Sequence, residues 1–385
     1  LWVLQTLQQL SSGSSGASEP AHAPVSLVVL TSGSNGPVPG DLHEASSIRP
    51  SLSGGVQGVL RSARIELPKT RLISIDTDEL CQDDSDRRDS SLLGAQVLRE
   101  LDSEDGNFEV SYRSGERLVP KLVLDRRLDN ASLVSTDKEL LQAPTRTALV
   151  TGGLGGLGLV AAEALVDSGV GCVVLVSRSG KVKYTDQGLE DRLERLRASG
   201  AEVVIEQCDM GVESEVEAML RRVRTEHGPL RIVVHAAGVL ADGLLEKQDA
   251  ESMRRVFAPK ADGAWFLHKH TQGDDLTAFV LFSSLSSQFG NRSSGNYAAA
   301  NAYLDELVKY RKHLGLRALA VHWTNIADVG MLPALGVKLA SSSGMSTSTA
   351  DVKGVLRILL DRGDVGLSDP VARVYPSGMI NTIMA

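Results

Sequence analysis

The chain has 385 residues, 42% of them hydrophobic and 23% charged, which are proportions of a folded globular protein and exclude a fibrous or wholly disordered one. A chain of this length is expected to form two domains. The net charge of −8 argues against a nucleic-acid partner, because such a partner requires a basic face.

Three cysteines, Cys81, Cys172 and Cys208, show neither a C-x-x-C spacing nor a disulfide framework, so we expect no metal site and a reducing, cytoplasmic setting. No run of about 18 apolar residues is present, and we therefore expect no membrane span. The chain opens on LWVLQTLQQL, an amphipathic helical pattern that runs into a polar linker, SSGSSGASEPAHAP. We interpret this opening as the truncated start of a domain within a longer polypeptide.

The first part of the chain alternates strand and helix patterns up to about residue 124. In order these are VSLVVL, GGVQGVLRSARIEL, RLISIDTD, SLLGAQVLREL and a predicted hairpin, FEVSYRSGERLVPKLVL. The loop TSGSNG, residues 31–36, follows a strand as phosphate-binding loops do, but Pro37 and Pro39 come next instead of a helix. We interpret residues 1–143 as a small, non-catalytic α/β subdomain.

From residue 147 the pattern becomes a regular β–α repeat, which predicts a parallel sheet with right-handed crossovers. The predicted strands are TALVTG, CVVLVSR, EVVIEQCD, RIVVHAAG, AFVLFSS, ALAVHW and ARVYP. Seven strands predict a doubly wound, Rossmann-type α/β sheet over residues 144–385. Ligands of such sheets bind beyond the carboxyl ends of the strands, so the residues that follow each strand are the candidate site.

A glycine-rich run, TGGLGGLG, follows the first of these strands and leads into the helix LVAAEALVDSG. Glycines in this position permit a tight turn and let a pyrophosphate approach backbone N–H groups at the helix N-terminus. The predicted dinucleotide-binding residues of this turn are Thr151, Gly152, Gly153, Leu154, Gly155, Gly156, Leu157 and Gly158.

The next strand ends in Ser177-Arg178, where an enzyme that uses NAD usually carries an acid. A guanidinium there suits a ribose 2′-phosphate, with Lys181 nearby, and this favours NADPH over NADH. Further cofactor-lining residues are expected after the third and fourth strands, namely Cys208, Asp209, His235, Ala236, Ala237 and Gly238. Packing alone could also explain these small residues.

Four residues have the chemistry of a carbonyl-reduction site. Ser284 ends the fifth strand, Tyr297 begins a helix thirteen positions later, Asn301 lies one helical turn beyond it, and Lys260 precedes them in FAPKADGAW. A tyrosine hydroxyl can protonate the alkoxide formed by hydride addition, and a nearby ammonium would lower the phenol pKa. We expect Ser284 to bind the carbonyl and Asn301 to hold the arrangement. Each residue taken alone could be a cap, a surface charge or a core aromatic.

In this order and spacing the motifs TGGLGGLG, SR, CD, HAAGVL, FAPKADGAW, FSS, NYAAANAYLDEL and W…VGM resemble those of the ketoreductase domains of modular polyketide synthases. These domains are a branch of the short-chain dehydrogenase/reductase superfamily. GVLRSARIELP and FEVSYRSGERLVPKL also resemble the truncated structural subdomain of that family. The resemblance implies that Asn301 stands where simple superfamily members carry lysine, with the lysine supplied by Lys260.

The resemblance implies NADPH-dependent reduction of a β-ketoacyl thioester to a β-hydroxyacyl thioester. The substrate would be carried on the phosphopantetheine arm of an acyl carrier protein, and other synthase domains would be neighbours. A fatty acid synthase ketoreductase is a close alternative. A free-standing dehydrogenase would not need the N-terminal part, and a reductively silent scaffold or epimerising domain would not need the four residues and the glycines.

Stereochemistry is predicted from positions that the family uses to select one face of the ketone. The family's B-type, which gives the D-alcohol, carries Leu-Asp-Asp after HAAGV, where this chain has Leu240-Ala241-Asp242. Phe289 stands where A-type domains carry Trp, and Ala299 stands where epimerising B-type domains carry Pro. A non-epimerising B-type domain is therefore expected.

The substrate-side wall departs from the family pattern. The segment after Trp323 reads WTNIADVGM and lacks the family's second aromatic residue, while Met331 is retained. A mobile lid over residues 327–349 is expected to close on the substrate, because this stretch contains Pro333 and is rich in serine.

Overall fold

The computed structural model describes residues 1–12, 25–32, 53–78, 90–121, 147–334, 346–361 and 371–373. Two compact units make up the chain, and neither is continuous in sequence. The first unit comprises Leu1–Leu128, Ala241–Met253 and Ser286–Tyr310, and the second comprises Asp129–Leu240, Arg254–Leu285 and Arg311–Ala385. From the sequence we expect a single boundary between residues 143 and 144. That domain division stays a prediction.

The first unit contains a four-stranded sheet in the order β1-β2-β3-β4. β1, β2 and β3 are parallel, and β4 pairs antiparallel with β3. Its early elements, in chain order, are α1 Trp2–Ser12, β1 Ser26–Thr31, α2 Ser53–Glu66, β2 Arg71–Thr77, α3 Ser90–Asp102, β3 Glu109–Arg113 and β4 Glu116–Leu118. The predicted hairpin is confirmed, and its two turn residues, Ser114 at φ 49° and Gly115 at φ 78°, are both left-handed as a two-residue hairpin turn requires.

Small residues line the face of α2 at four-residue intervals. An added Cβ at Gly58 would lie 2.4 Å from the carbonyl oxygen of Ala298, and one at Gly54 would lie 2.4 Å from Cγ of Glu306. Ser62, four residues further on, accepts a hydrogen bond from the backbone N–H of Asn291 at 3.1 Å. Because residues four apart share a helix face, this stripe lets α2 approach the 286–310 segment closely.

The second unit is built on a seven-stranded, all-parallel sheet in the order β13-β10-β9-β8-β5-β6-β7. This confirms the predicted doubly wound α/β fold. The chain order reverses at β5, which lies between β8 and β6, so the carboxyl end of β5 is at the switch point. The strands are β5 Thr147–Thr151, β6 Cys172–Ser177, β7 Glu202–Gln207, β8 Leu230–His235, β9 Ala278–Ser284, β10 Leu319–Trp323 and β13 Val371–Arg373.

Helices connect these strands as the sequence pattern predicts. They are α4 Gly156–Asp167, α5 Leu189–Arg197, α6 Glu213–His227, α7 Ala250–Phe257, α8 Gly263–His270, α9 Ser286–Phe289, α10 Gly295–His313, α11 Met331–Ala334 and α12 Thr349–Asp361. A π-helical turn, Ala258–Asp262, separates α7 from α8, and two short strands, β11 Asn325–Ile326 and β12 Ser346–Thr347, pair in parallel.

The central strands of the second unit are buried on both faces, which explains why their sequences are continuous apolar runs. Every residue of β5 is buried, whereas the edge strand β7 has exposed ends and a half-buried middle. Apolar side chains of α4, α5 and α12 pack with the sheet in one cluster. No helix within the described ranges is both long enough and apolar enough to cross a bilayer.

Candidate active site

The glycine-rich turn lies where the sheet offers a ligand site, at the carboxyl end of β5. Gly152 has φ 65°, and a Cβ there would lie 2.9 Å from the carbonyl oxygen of Ala236. A Cβ on Gly158 would lie 2.1 Å from the carbonyl oxygen of Gly152. No side chain caps the N-terminus of α4, where Gly155 is the N-cap residue. Glycine at these positions thus lets the turn pack against the protein's own backbone. The N–H groups at the start of α4, which no side chain caps, fit the pyrophosphate of a dinucleotide.

His235 connects this turn to Lys260. The imidazole is fully buried, its Nδ1 lies 2.7 Å from the Thr151 hydroxyl, and its Nε2 lies 2.8 Å from the Lys260 carbonyl oxygen. Since a carbonyl only accepts, Nε2 carries the proton and Nδ1 accepts from Thr151. Burial and the Lys260 charge lower the pKa of His235 to about 3. The neutral ring is therefore a structural link, and its predicted contact with a cofactor stays a prediction.

Lys260 is held on the π-helical turn with its ammonium inside the protein. The residue is 3% exposed, and Nζ donates to the Phe282 carbonyl oxygen of β9 at 2.9 Å. A Cβ on Gly238 would lie 3.6 Å from Nζ, so the ammonium lies beside the segment that follows β8. π-turns are frequent at functional sites because they redirect a side chain within a helix. Ser284 ends β9 opposite Trp323 of β10 and is half-buried.

Tyr297 and Asn301 lie together near the start of α10, in the first unit. Asn301 is fully buried and donates from Nδ2 to the Tyr297 carbonyl oxygen at 2.8 Å, which confirms the predicted shared helix face. The side chain of Asn296 accepts a hydrogen bond from the Tyr297 backbone N–H and donates to the carbonyl oxygen of Ala241, each at 2.7 Å. Asn296 was not predicted from the sequence, because it lies within the first turn of α10 and its second partner, Ala241, is 55 positions away.

The pKa of Tyr297 is raised above its ordinary value, chiefly because burial disfavours the phenolate. A hydrogen bond with the Asn301 side chain acts in the opposite direction, and the negative charge of Asp242 adds to the rise. Desolvation of the hydroxyl thus outweighs the hydrogen bond that favours ionisation. The lowering of the pKa expected from the Lys260 ammonium stays a prediction. Tyr297 is accordingly a protonated donor at neutral pH.

The residues expected to select NADPH follow β6, and two residues expected to line the cofactor, Cys208 and Asp209, follow β7. Arg178 is exposed, and the hydroxyl of Ser177 accepts from the Gly180 N–H at 3.0 Å to shape the loop that carries it. Asp209 organises the turn after β7, where its Oδ1 accepts from the Gly211 N–H at 2.9 Å. Cys208 is buried, and burial raises the pKa of its thiol to about 12, so this thiol is not a nucleophile at neutral pH.

The residues expected on the substrate side have different surroundings. Phe289 is 46% exposed at the end of α9, whereas Trp323 is 3% exposed and packs edge-on against Phe282. Met331 and Leu240 are half-buried. Asp242 is exposed, yet partial desolvation of its carboxyl raises its pKa, and the Ser294 hydroxyl donates to it at 3.1 Å. Residues 335–345 of the expected lid lie outside the described residues.

One group of metal-ligating side chains occurs among the described residues, at the amino ends of the strands of the second unit. It comprises Cys172, Glu202 and His227, whose ligand atoms lie within 4.8 Å of one another. The Glu202 carboxylate already bonds to Nδ1 of His227 at 3.0 Å, and burial raises the pKa of the Cys172 thiol to about 12, which disfavours the thiolate a metal needs. The expected absence of a metal stays a prediction.

The first unit has an acid where a dinucleotide fold binds ribose, at the end of its second strand. Asp76 is the last residue but one of β2 and is fully buried. Its carboxylate accepts from the Thr31 hydroxyl at 2.8 Å and forms an ion pair with Arg113. This internal pairing favours a structural role for the unit. Residues 33–36 of the TSGSNG loop lie outside the described residues.

The parallel strand order and the glycine turn at the switch point define a dinucleotide-binding oxidoreductase of the short-chain dehydrogenase/reductase class. Within this class, residues 146–328 match the family model of the KR domain. This match confirms the resemblance to the ketoreductase domains of polyketide synthases that the motifs indicate.

Similar proteins support this assignment. Polyketide synthase GfsB of Streptomyces halstedii is 43% identical over 213 residues, which are 52% of this chain and 4% of that protein. The spectinabilin polyketide synthase system protein NorB of Streptomyces orinoci is 42% identical over 214 residues, 54% of this chain and 10% of that protein. The chain therefore spans a small fraction of these curated relatives.

A solved structure described as A-type ketoreductases from a modular polyketide synthase superposes with a TM-score of 0.75 at 28% identity, covering 97% of this chain and 71% of that one. An A1-type ketoreductase superposes with a TM-score of 0.77 at 27% identity and the same coverage. The likeness extends over nearly the whole chain and thus includes the N-terminal part, which the family model does not cover.

Proposed function

We propose that this domain uses NADPH to reduce a β-ketoacyl thioester, carried on an acyl carrier protein, to a β-hydroxyacyl thioester. The observation that carries the proposal is the glycine turn at the switch point of the seven-stranded sheet, within residues 146–328, which match the ketoreductase family model. Nicotinamide cofactors bind at such turns and supply the hydride. The residues of the chain would then bind the ketone and move the proton.

The four predicted catalytic residues would divide this work. Tyr297, whose hydroxyl is protonated at neutral pH, donates its proton to the oxygen on which charge develops. Ser284 hydrogen-bonds the same oxygen, and Lys260 supplies positive charge from a buried ammonium. Asn301 holds Tyr297 through the bond to its carbonyl oxygen. Support for these roles comes from the environment of each residue within its own unit and from the family's motif order.

The preference for NADPH rests on Arg178. An exposed guanidinium after β6, with Lys181 three residues on, is suited to pair with a 2′-phosphate, and no acid is present there to bind a 2′-hydroxyl. The proposal also covers the setting of the reaction: the substrate is carried on a phosphopantetheine arm, other synthase domains are neighbours, and the protein is cytoplasmic. It also includes a lid over residues 327–349 and a structural subdomain over residues 1–143.

A non-epimerising B-type outcome is part of the proposal. Asp242 is held by Ser294, and Phe289 occupies the position where A-type domains carry Trp. A fixed loop beside the catalytic helix would admit the pantetheine arm from one side and present one face of the ketone to the hydride. The A-type ketoreductases among the similar structures share the fold, and a shared fold does not fix the stereochemical outcome.

The test is oxidation of NADPH by the purified chain in the presence of an unbranched β-ketoacyl thioester, followed by chiral analysis of the alcohol. We expect turnover and a predominantly D-configured product. A Tyr297→Phe variant is the matched control, and it should bind NADPH normally while losing reduction. Oxidation at equal rates in this control would remove Tyr297 from the mechanism, and an L-configured product from the unmodified chain would contradict the B-type assignment.

The alternative functions give different results in the same assay. A fatty acid synthase ketoreductase would reduce saturated β-ketoacyl thioesters of every length at similar rates. A reductively silent or epimerising domain would bind the thioester and leave NADPH unoxidised.

A further inference from the structure

Glu66 ends α2 with a negative charge, although the C-terminal end of a helix favours a positive one. Its two carboxylate oxygens accept hydrogen bonds from two backbone N–H groups that are distant in sequence. Oε2 accepts from Leu245 at 2.7 Å, and Oε1 accepts from Ser293 at 2.9 Å. The side chain is half-buried, so these charge-assisted bonds are partly shielded from water.

The two segments that Glu66 joins are the loop at residues 241–245 and the turn at residues 290–294 that precedes α10. We call the first the entrance loop, because the proposed function places it where the pantetheine arm would enter. They also bond directly to each other, since the Gly243 N–H donates to the Ser293 carbonyl oxygen at 2.7 Å. The Ser294 hydroxyl donates to Asp242, and Asn296 donates to Ala241. Because Asn296 also accepts from the Tyr297 N–H, a continuous series of bonds runs from Glu66 to the backbone of Tyr297.

The turn is in a conformation that needs such support. Ser293 has φ 66°, in the left-handed region that disfavours residues with a Cβ. Glu66 binds its N–H, and Gly243 binds its carbonyl group. Elsewhere on α2, Ser62 binds the same turn through Asn291 without touching the entrance loop. Among the described residues of α2, Glu66 is thus the side chain that bonds to both segments at once.

We propose that Glu66, in the N-terminal part of the chain, is a positioning residue for the reduction: its carboxylate fixes the entrance loop against the start of the Tyr297 helix and thereby sets which face of the ketone is reduced. This inference rests on the proposed function. A carboxylate suits the task because both oxygens accept, whereas an amide has one accepting oxygen and presents an N–H to the second donor.

The experiment compares Glu66→Gln with the unmodified chain in the thioester assay, measuring kcat, KM for the thioester, Kd for NADPH and the ratio of the two alcohols. We expect a loss of about tenfold in kcat/KM and an erosion of the product ratio of about fivefold, because misplacement of a substrate-positioning loop by a fraction of an ångström is felt at the reacting centre. The Kd for NADPH should change less than about twofold, because the glycine turn is unaltered.

Two controls separate positioning from general stability. Glu104→Gln makes the same charge change at an exposed glutamate between α3 and β3 and should leave every parameter unchanged. Ser62→Ala removes a bond from α2 to the turn but none to the entrance loop, and it should leave the product ratio unchanged. Amide exchange at Leu245 and Ser293 should accelerate together in Glu66→Gln.

Inactivity of the unmodified chain would refute the proposed function itself. An active chain whose Glu66→Gln variant keeps the original product ratio and kcat/KM would overturn only the role of Glu66. The role would also be overturned if Glu66→Gln failed to fold, since the carboxylate would then be a general determinant of stability. A changed ratio with an unchanged melting temperature and NADPH affinity would support it.

Discussion

At the level of single residues, burial determines the charge state and the bonding of two candidate site residues. Lys260 and His235 are both withdrawn from water, and each is bonded within the second unit. A buried ammonium needs acceptors, and a buried imidazole keeps its neutral form. Arg178, by contrast, is exposed, and its proposed partner is a ligand rather than the protein.

Arg178→Ala should weaken NADPH binding by about tenfold to a hundredfold while changing NADH affinity little, because only NADPH carries the phosphate that a guanidinium would pair with. Fluorescence titration with both cofactors measures the effect. Lys183→Ala is a control that removes a nearby exposed cation. Equal losses for NADPH and NADH would show that Arg178 shapes the loop instead of reading the phosphate.

Acid should destabilise the domain from about pH 6.5 downward. Burial lowers the pKa of His235 and His268 to about 3 in each case. Between pH 6.5 and 3 the unfolded chain therefore binds protons that the folded chain does not, and stability falls as pH falls, by about 1.4 kcal/mol per pH unit for each histidine. Arg311 reinforces this for His268, because its guanidinium donates to Nδ1 at 3.0 Å and would repel an imidazolium.

Glu306 offsets part of this loss of folding stability. Burial raises its pKa to about 7, so over the range from 4.5 to 7 the folded chain holds a proton that the unfolded chain releases. The net uptake on unfolding near pH 5.5 is then about one proton instead of two. Urea unfolding at several pH values should show that slope, and Glu306→Gln should steepen it to about two. An unchanged slope in the variant would mean that Glu306 is ionised in the folded chain.

At the element scale, the packing of α2 against α10 depends on small residues. Gly58 contacts the backbone of Ala298 and Ala299 directly, within two positions of Tyr297. The sequence pattern predicted α2 as a helix but offered no reason for its glycines, which lower helix propensity. The structure supplies that reason, because a side chain at these positions would push the two helices apart.

Gly58→Ala should destabilise the protein by about 1–3 kcal/mol and lower kcat, since the added methyl group must displace backbone next to Tyr297. Gly94→Ala is the matched control, because Gly94 is an exposed helical glycine of α3 with no atom within 4 Å of an added Cβ. It should stabilise by about 0.5–1 kcal/mol. Thermal unfolding of both variants tests the pair, and a neutral Gly58→Ala would mean that the helices can shift freely.

At the scale of the whole molecule, the discontinuous first unit has consequences for how the chain can be divided. Leu245 is 1% exposed in a cluster with Leu4, Leu60, Ala63 and Leu72. Gln5 of α1 donates to the carbonyl oxygens of Leu245 and Gln248 at 2.9 and 2.7 Å. The segment 241–253 is therefore packed and bonded by the N-terminal part of the chain.

A shortened chain of residues 144–385 should lose cooperative unfolding and bind a hydrophobic dye, because removing the N-terminal part exposes Leu245 and the face of α10 that meets Gly58. Calorimetry and dye fluorescence against the 385-residue chain measure this. A single sharp transition at the melting temperature of the full chain, with activity retained, would contradict a stabilising role for residues 1–143.

Local sequence patterns were enough to predict the main helices and strands, the seven-stranded sheet and the place of the glycine turn, although not the π-helical turn or the short strands β11 and β12. They could do so because hydrophobic periodicity and glycine conformation act over a few neighbouring residues. The pair Tyr297 and Asn301 was predictable for the same reason, since four residues make one helical turn.

Contacts between groups that are distant in sequence became visible in the folded chain alone. Nothing near Glu66 in sequence points to Leu245 or Ser293, which lie 179 and 227 positions away. The neutral state of His235 and the raised pKa of Tyr297 likewise depend on burial in the folded chain. Burial and long-range hydrogen bonds are properties of the packed chain, and a local pattern of residues does not contain them.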